Sequence, residues 1–205
     1  MKSTAILIPA RYASTRLPGK PLAMLDGVPM IKRVYDACVA SKIPTYVLTD
    51  SLRIFELFGP NACWIDEADY DNGTARCAGA IKNDFFSAYD QFINVQGDMP
   101  DVTLEMIEKT EWHLQHYHVT TMRTTMPEEK QNDPHTVKLV RDADKCLWFG
   151  RGMTGYGDWH LGIYGYTRRA LEQYNTLTIT KEENIEKLEQ LRWLKNGWDI
   201  GVLPC

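Results

Sequence analysis

Ala5-Ile6-Leu7-Ile8 is an unbroken apolar run ending at Pro9, the pattern of a strand covered on both faces. Met30, Ile31, Val34, Ala37 and Cys38 then recur at helical spacing, with Lys32, Arg33 and Asp36 off that stripe and Pro29 suited to a first helical residue. Pro44 introduces a strand, Tyr46-Val47-Leu48-Thr49, closed by Asp50. Residues 4–50 thus predict strand, helix and strand, a βαβ unit that implies a parallel sheet. A short helix over about 51–58 and a strand near Ala62–Ile65 follow. An Asn72-Gly73 turn opens a helix carrying Cys77, Ala78 and Ile81, with Thr74 as its expected cap.

Phe92–Val95 predicts a further strand, residues 103–117 a helix with Leu104, Ile107 and Leu114 along one side, and Val119–Met122 another strand. In the second half, strands are expected within Asn132–Val140, at Trp148–Arg151 and around His160–Tyr166, and one amphipathic helix over Ile185–Leu194. The alternation predicts an α/β fold with a mostly parallel central sheet flanked by helices.

Where the first apolar run stops, the chain carries three cations, Arg11, Arg16 and Lys20, spaced by Pro18 and Gly19 and followed by Pro21. A cationic, glycine-hinged loop at the C-terminal end of a first strand is where open α/β sheets bind phosphorylated ligands. Three cations so close suit a polyphosphate, whose oxygens each accept a charge-assisted hydrogen bond. By charge alone, the loop is an ordinary basic turn. It is not a Walker A loop, since Ser14 stands where that motif needs Gly and Pro21 where it needs Ser or Thr. Gly150-Arg151-Gly152-Met153-Thr154-Gly155 spells the dinucleotide fingerprint, but Tyr156-Gly157-Asp158-Trp159 is no helix start, so that reading fails. Asp98 follows Gly97 at a predicted strand end, where it would project into the crevice of the cationic loop. A carboxylate beside a polyphosphate is a usual seat for Mg²⁺, whereas by residue type alone Asp98 reads as a turn-forming aspartate before Pro100.

Composition works mainly by exclusion. With 205 residues the chain predicts one domain, 1–205, burying roughly 70% of its unfolded surface. A net charge of −4 argues against nucleic acid as the partner. No apolar run approaches membrane-spanning length, and Met1-Lys2-Ser3-Thr4 leads straight into the first strand, so a cytoplasmic protein is expected. Five scattered cysteines without C-x-x-C spacing read as reduced thiols. His113, His116 and His118 lack an acidic partner at ligand spacing and read as exposed helix-end residues.

Pro9 to Leu22 resembles the signature of the sugar-activating cytidylyltransferases, with the CMP-Kdo synthetase family as the nearest match. The resemblance continues through Gly73, Thr74 and Arg76, where Asn72 and Ala75 depart from the family's Ser-Gly-Thr-Glu-Arg. It extends through Asn94-Val95-Gln96-Gly97-Asp98-Met99-Pro100, His160–Tyr166 and the Glu189-Gln190 pair. It implies nucleotide contacts at Pro9, Ala10, Arg11, Arg16 and Lys20 in the loop. Further contacts are implied at Thr49, Asp50, Gly73, Arg76, Gln96 and Gly97. Arg11, Lys20 and Asp98 would be catalytic, with Mg²⁺ on Asp98. An acidic-sugar pocket is implied at Gln96, Arg151, His160, Tyr164, Glu189 and Gln190. Without the resemblance, His160 reads as a satisfied strand histidine and Glu189 as a helix-surface charge paired with Arg192.

The reaction so implied is attack of the anomeric hydroxyl of a 3-deoxy-ulosonic acid on the α-phosphorus of CTP, with loss of pyrophosphate. The setting would be lipopolysaccharide biosynthesis. The same chemistry on an amino-ulosonate or neuraminate-type acid is the nearest alternative, and a catalytically impaired nucleotide-binding homologue is the other. The family's second metal-binding carboxylate lies in a segment beyond the last strand that this sequence does not contain, so a weak activity needing high Mg²⁺ is expected. A homodimer is expected from the resemblance and from the crowding of Trp148, Phe149, Tyr156 and Trp159.

Overall fold

The computed structural model describes residues 2–12 and 19–205. Its strands and helices alternate as β1 (Thr4–Ala10), β2 (Met24–Leu25), β3 (Val28–Pro29), α1 (Met30–Val39), β4 (Thr45–Thr49), α2 (Leu52–Phe58), β5 (Cys63–Ile65), α3 (Gly73–Ala80) and β6 (Gln91–Val95). The chain continues through α4 (Leu104–His113), β7 (Val119–Thr124), β8 (Lys138–Asp142), β9 (Lys145–Gly150) and β10 (Asp158–Thr167). Then come α5 (Arg168–Gln173), α6 (Lys181–Glu186), α7 (Leu191–Lys195) and β11 (Ile200–Pro204).

Among the described residues, one nine-stranded sheet runs in the order β5-β4-β1-β6-β10-β7-β11-β9-β8. Its first half is parallel, β1 pairing with both β4 and β6, and β4 with β5. β10 then enters antiparallel between β6 and β7, and β8 and β9 pair antiparallel at the far edge. The parallel character therefore belongs to the first half and to the β7–β11 pair.

The unbroken apolar run of β1 has a simple cause. Ile6 and Ile8 face a core shared with Ile31 and Val34 of α1 and Ile107 of α4, whereas Ala5 and Leu7 face one shared with Ala78 of α3, Leu171 of α5 and Trp193 of α7. With helices on both faces, neither side of the strand has reason to be polar.

Several elements differ from the sequence pattern. Asp26 and Gly27 both take positive φ (47° and 81°) and turn a small hairpin between β2 and β3 that hydrophobic periodicity passes over. The cap of α3 is Asn72, whose side chain accepts the Ala75 N–H at 2.8 Å; Thr74 lies inside the helix. α4 turns Met106, Ile107, Thr110 and His113 to the core and leaves Leu104 exposed. His113, expected at the surface, is 1% exposed, packed on Tyr117 and against Gly201, and burial lowers its pKa.

The helix expected over 185–194 is two short ones. α6 stops at Lys187 in the left-handed region (φ 54°), and α7 starts only at Leu191. Of the aromatic group, Phe149 is fully buried, Trp148 and Trp159 are half-buried, and Tyr156 is 60% exposed.

Candidate functional site

Two cavities open at the C-terminal ends of β1 and β6, and they meet at Asp71, Asn72 and Gln96, which line both. The smaller, about 490 Å³, is lined by Pro9, Ala10, Arg11, Lys20, Gly73, Arg76, Gly97 and Asp98 among others. The larger, about 1080 Å³, lies over the antiparallel half and takes in Arg151, His160, Tyr164, Glu189 and Gln190.

The smaller cavity follows from where β1 and β6 end. Parallel strands carry Ala10 and Val95 to the same edge, and the chain leaves each into a loop bearing charge. Gly19, at φ 72°, donates its N–H to the Tyr12 carbonyl at 3.0 Å and so closes the cationic loop at its base. Lys20 forms an ion pair with Asp98, both side chains being partly exposed. Gly97 allows the close approach behind them: a Cβ there would lie 3.0 Å from Ile31 Cδ1 and 3.1 Å from the Pro9 carbonyl. Gly73 does the same for the first turn of α3, where a Cβ would lie 3.1 Å from Pro9 Cγ.

Arg76 is buried at the cavity wall. It lies over the Tyr70 ring (5.1 Å), pairs with Asp50 (3.2 Å) and donates to the Asp66 carbonyl (3.3 Å). Asp50 also accepts the Tyr12 N–H at 3.1 Å. Asp50 thus braces the start of the loop and the Arg76 guanidinium, and Thr49, fully buried, accepts the Ser51 N–H. Neither Thr49 nor Asp50 lines either of these two cavities. Arg16 lies outside the described residues.

The larger cavity is held by side chains whose polar atoms are already matched. Glu189 accepts from the Thr74 N–H (3.3 Å) and from its hydroxyl (3.0 Å). Burial holds its carboxyl above the usual carboxylate range, and those two hydrogen bonds oppose the shift. Arg151 donates to the carbonyls of His135 (2.6 Å) and Glu186 (3.1 Å), tying two walls together. His160 lies 3.0 Å from Thr121 Oγ1, which itself donates to the Ile163 carbonyl (2.8 Å), so Nε2 carries the proton and donates. Burial, aided by the Arg151 charge, depresses its pKa to about 3, and the ring is neutral. Its ring packs 5.4 Å from that of Tyr164.

Charge pattern alone pairs Arg192 with Glu189. The break at Lys187 instead gives Arg192 to Glu183, with contacts of 2.6 and 3.0 Å, both side chains buried and the guanidinium 4.3 Å over the Tyr174 ring. Two further residues shape the site without belonging to a motif. Asn72 caps α3 between the cavities. Lys138, fully buried, donates to the carbonyls of Asp133 (2.8 Å), Thr136 (3.3 Å) and Arg151 (3.3 Å). The available signal was Lys138 itself, a lone charge in an apolar strand.

A metal has a restricted choice here. No group of three or more His, Cys, Asp or Glu able to hold one occurs among the described residues. Asp98 does present a hard oxygen donor to the smaller cavity, which fits an ion that binds through one carboxylate and otherwise through substrate phosphates and water.

Residues 5–200 match the family model described as cytidylyltransferase. The 8-amino-3,8-dideoxy-manno-octulosonate cytidylyltransferase of Shewanella loihica is 39% identical, the alignment covering 98% of this chain and 89% of that one. Its counterpart from Shewanella amazonensis is 38% identical with the same coverage. A solved CMP:2-keto-3-deoxy-manno-octonic acid synthetase complexed with CTP superposes with a TM-score of 0.88 at 31% identity, over 99% of this chain and 90% of that one. A glucose-1-phosphate thymidylyltransferase from Bacillus anthracis shares the fold at 13% identity (TM-score 0.66, 99% of this chain and 87% of that one).

Proposed function

This chain belongs to the cytidylyltransferase family, and on that footing we propose that it joins CMP from CTP to an eight-carbon 3-deoxy-ulosonic acid, releasing pyrophosphate. The observation that carries the reading is the meeting of two cavities at Asp71, Asn72 and Gln96, one with cations at its mouth and one lined by a preformed hydrogen-bond network. The first half of the chain thereby serves the nucleotide and the second half the sugar, within one domain.

Arg11 and Lys20 take the triphosphate and neutralise charge as pyrophosphate leaves, so the protein supplies position and field without a covalent intermediate. Pro9, Ala10, Gly73 and Gly97 let backbone approach the nucleotide, and buried Arg76 offers fixed positive charge. Gln96, at the junction, contacts both ligands. Asp98 would hold Mg²⁺, which supplies Lewis-acid polarisation of the phosphate when bound. Arg151, His160, Tyr164, Glu189 and Gln190 orient the sugar. His160, being neutral, acts as a hydrogen-bonding group and not as a cation for the sugar carboxylate.

Two sugars fit the class. The relatives described above are named for a sugar with an amine at C8, and the solved synthetase for the hydroxyl sugar. The chain has no helix long and apolar enough to cross a membrane among its described residues. A cytoplasmic homodimer is the assembly we infer, with exposed Leu147 and Tyr156 as its candidate contacts. Pyrophosphate release with CTP, Mg²⁺ and a panel of acidic sugars, with the product identified by mass, tests the reading. A CMP-ulosonate is expected, its formation abolished in Asp98→Asn. No nucleotide-sugar product from any acidic sugar would overturn it.

A further inference from the structure

The larger cavity contains a carboxylate that the reaction does not use. In a 3-deoxy-2-ulosonic acid the attacking hydroxyl and the acid group sit at one end. That end must lie where the two cavities meet, at Asp71, Asn72 and Gln96. The other end of the sugar then extends among residues lining the larger cavity alone. Three carboxylates lie there: Asp133, Glu183 and Glu189. Both oxygens of Glu183 are taken by Arg192. Those of Glu189 are taken by Thr74, whose neighbour Gly73 lines the smaller cavity, so Glu189 sits by the junction.

Asp133 is different. It comes from the segment between β7 and β8, and its backbone is fixed by buried Lys138, which donates to the carbonyls of Asp133 and Thr136. One carboxylate oxygen accepts the His135 N–H at 2.8 Å. The other accepts the Thr136 hydroxyl at 3.0 Å and, loosely, the Lys130 ammonium at 3.4 Å. The His135 N–H, then the Thr136 hydroxyl, hold its carboxyl below the usual carboxylate range, so it is ionised at neutral pH. Lys130 is 42% exposed and holds its place by that long contact. An ammonium already rests on this carboxylate, and another arriving on a ligand can take over its place.

We propose that Asp133 reads a terminal ammonium on the sugar, selecting an amino-ulosonic acid over its hydroxyl counterpart. This rests on the larger cavity being the sugar pocket. A neutral hydroxyl gains less from displacing Lys130, because a charge-assisted hydrogen bond is roughly twice as strong as a neutral one. Asp133 is thus a specificity residue and takes no part in the bond-making step.

The test compares kcat/KM, by pyrophosphate release with CTP and Mg²⁺, for 8-amino-3,8-dideoxy-manno-octulosonate and the 8-hydroxy sugar. The native chain should favour the amino sugar by roughly tenfold or more. Asp133→Asn keeps an acceptor for the His135 N–H and should bring the ratio close to one, while Lys130→Met, which removes the competing cation, should raise it. Calorimetric titration with CTP reports that each variant is folded. A ratio unmoved by Asp133→Asn, both sugars losing in proportion, or no preference in the native chain would overturn the assignment while leaving the sugar pocket standing. Turnover of neither sugar by the native chain would overturn both.

Discussion

The two cavities share three residues and differ in how they are built. At the smaller one the charged groups that meet solvent, Arg11, Lys20 and Asp98, stand beyond the strand ends and are at least partly exposed, with Lys20 and Asp98 neutralising each other. At the larger one most groups are partly or wholly buried and matched within the fold: Glu189 with Thr74, Arg151 with two carbonyls, His160 with Thr121, Glu183 with Arg192. A triphosphate brings several charges of its own, so exposed cations suffice to hold it. An acidic sugar presents few charges among many hydroxyls in a fixed pattern, and preorganised partners tell one pattern from another. One region gathers charge and the other fixes the position of each polar group.

Unpairing the buried Glu183–Arg192 ion pair of the larger cavity should have the largest effect. Glu183→Ala leaves the Arg192 guanidinium without its carboxylate and should cost about 3–5 kcal/mol of stability, read from urea unfolding. An unchanged midpoint would mean that the network is not preorganised. On the other side, Lys20→Ala removes an exposed cation and should leave stability nearly untouched while weakening CTP binding by about 1.5–3 kcal/mol. Calorimetry finding wild-type CTP affinity would take the loop out of the site.

Acid separates the two regions by a smaller amount. His160 has its folded pKa near 3 against an ordinary 6.5, so between these values the unfolded chain binds the extra proton. The stability this burial contributes is complete above pH 6.5 and is lost as pH falls towards 3, about 2 kcal/mol of it by pH 5. Substituting His160→Gln should flatten that slope in denaturation curves taken at several pH values. The smallest effect expected is from Glu189→Gln, which keeps an acceptor for Thr74 but removes the charge. It should raise the KM for the sugar by about 1 kcal/mol in free-energy terms and leave CTP affinity alone. A loss of CTP affinity instead would erase the partition between the cavities.

How far each region could be read from the sequence follows the same division. β1, α1 and β4 are legible because a strand buried on both faces and a helix buried on one leave period and composition in adjacent residues. Asp98 is legible for a related reason: it lies three residues beyond the end of a recognisable strand, so its place at the sheet edge follows from the strand's own end, while Lys20 is legible from the order of residues in its loop.

The second half is less legible because its decisive contacts join residues far apart in the chain. Lys187 gives no local sign of a left-handed conformation, a strain of roughly 1–2 kcal/mol that only surrounding packing can sustain. Yet it is this break that turns Glu189 towards Thr74 and gives Arg192 to Glu183. Likewise His113 ends a helix whose polar neighbours argue for exposure, and only the arrival of β11 with Gly201 beside it buries the ring. Apolar period and turn chemistry are short-range, and they determined from the sequence alone the alternation of elements, the cationic loop and the carboxylate at the end of β6. The pairing of buried charges is settled by which partner is near once water is excluded, and that proximity exists only after β10 has entered the sheet antiparallel and brought the two halves together.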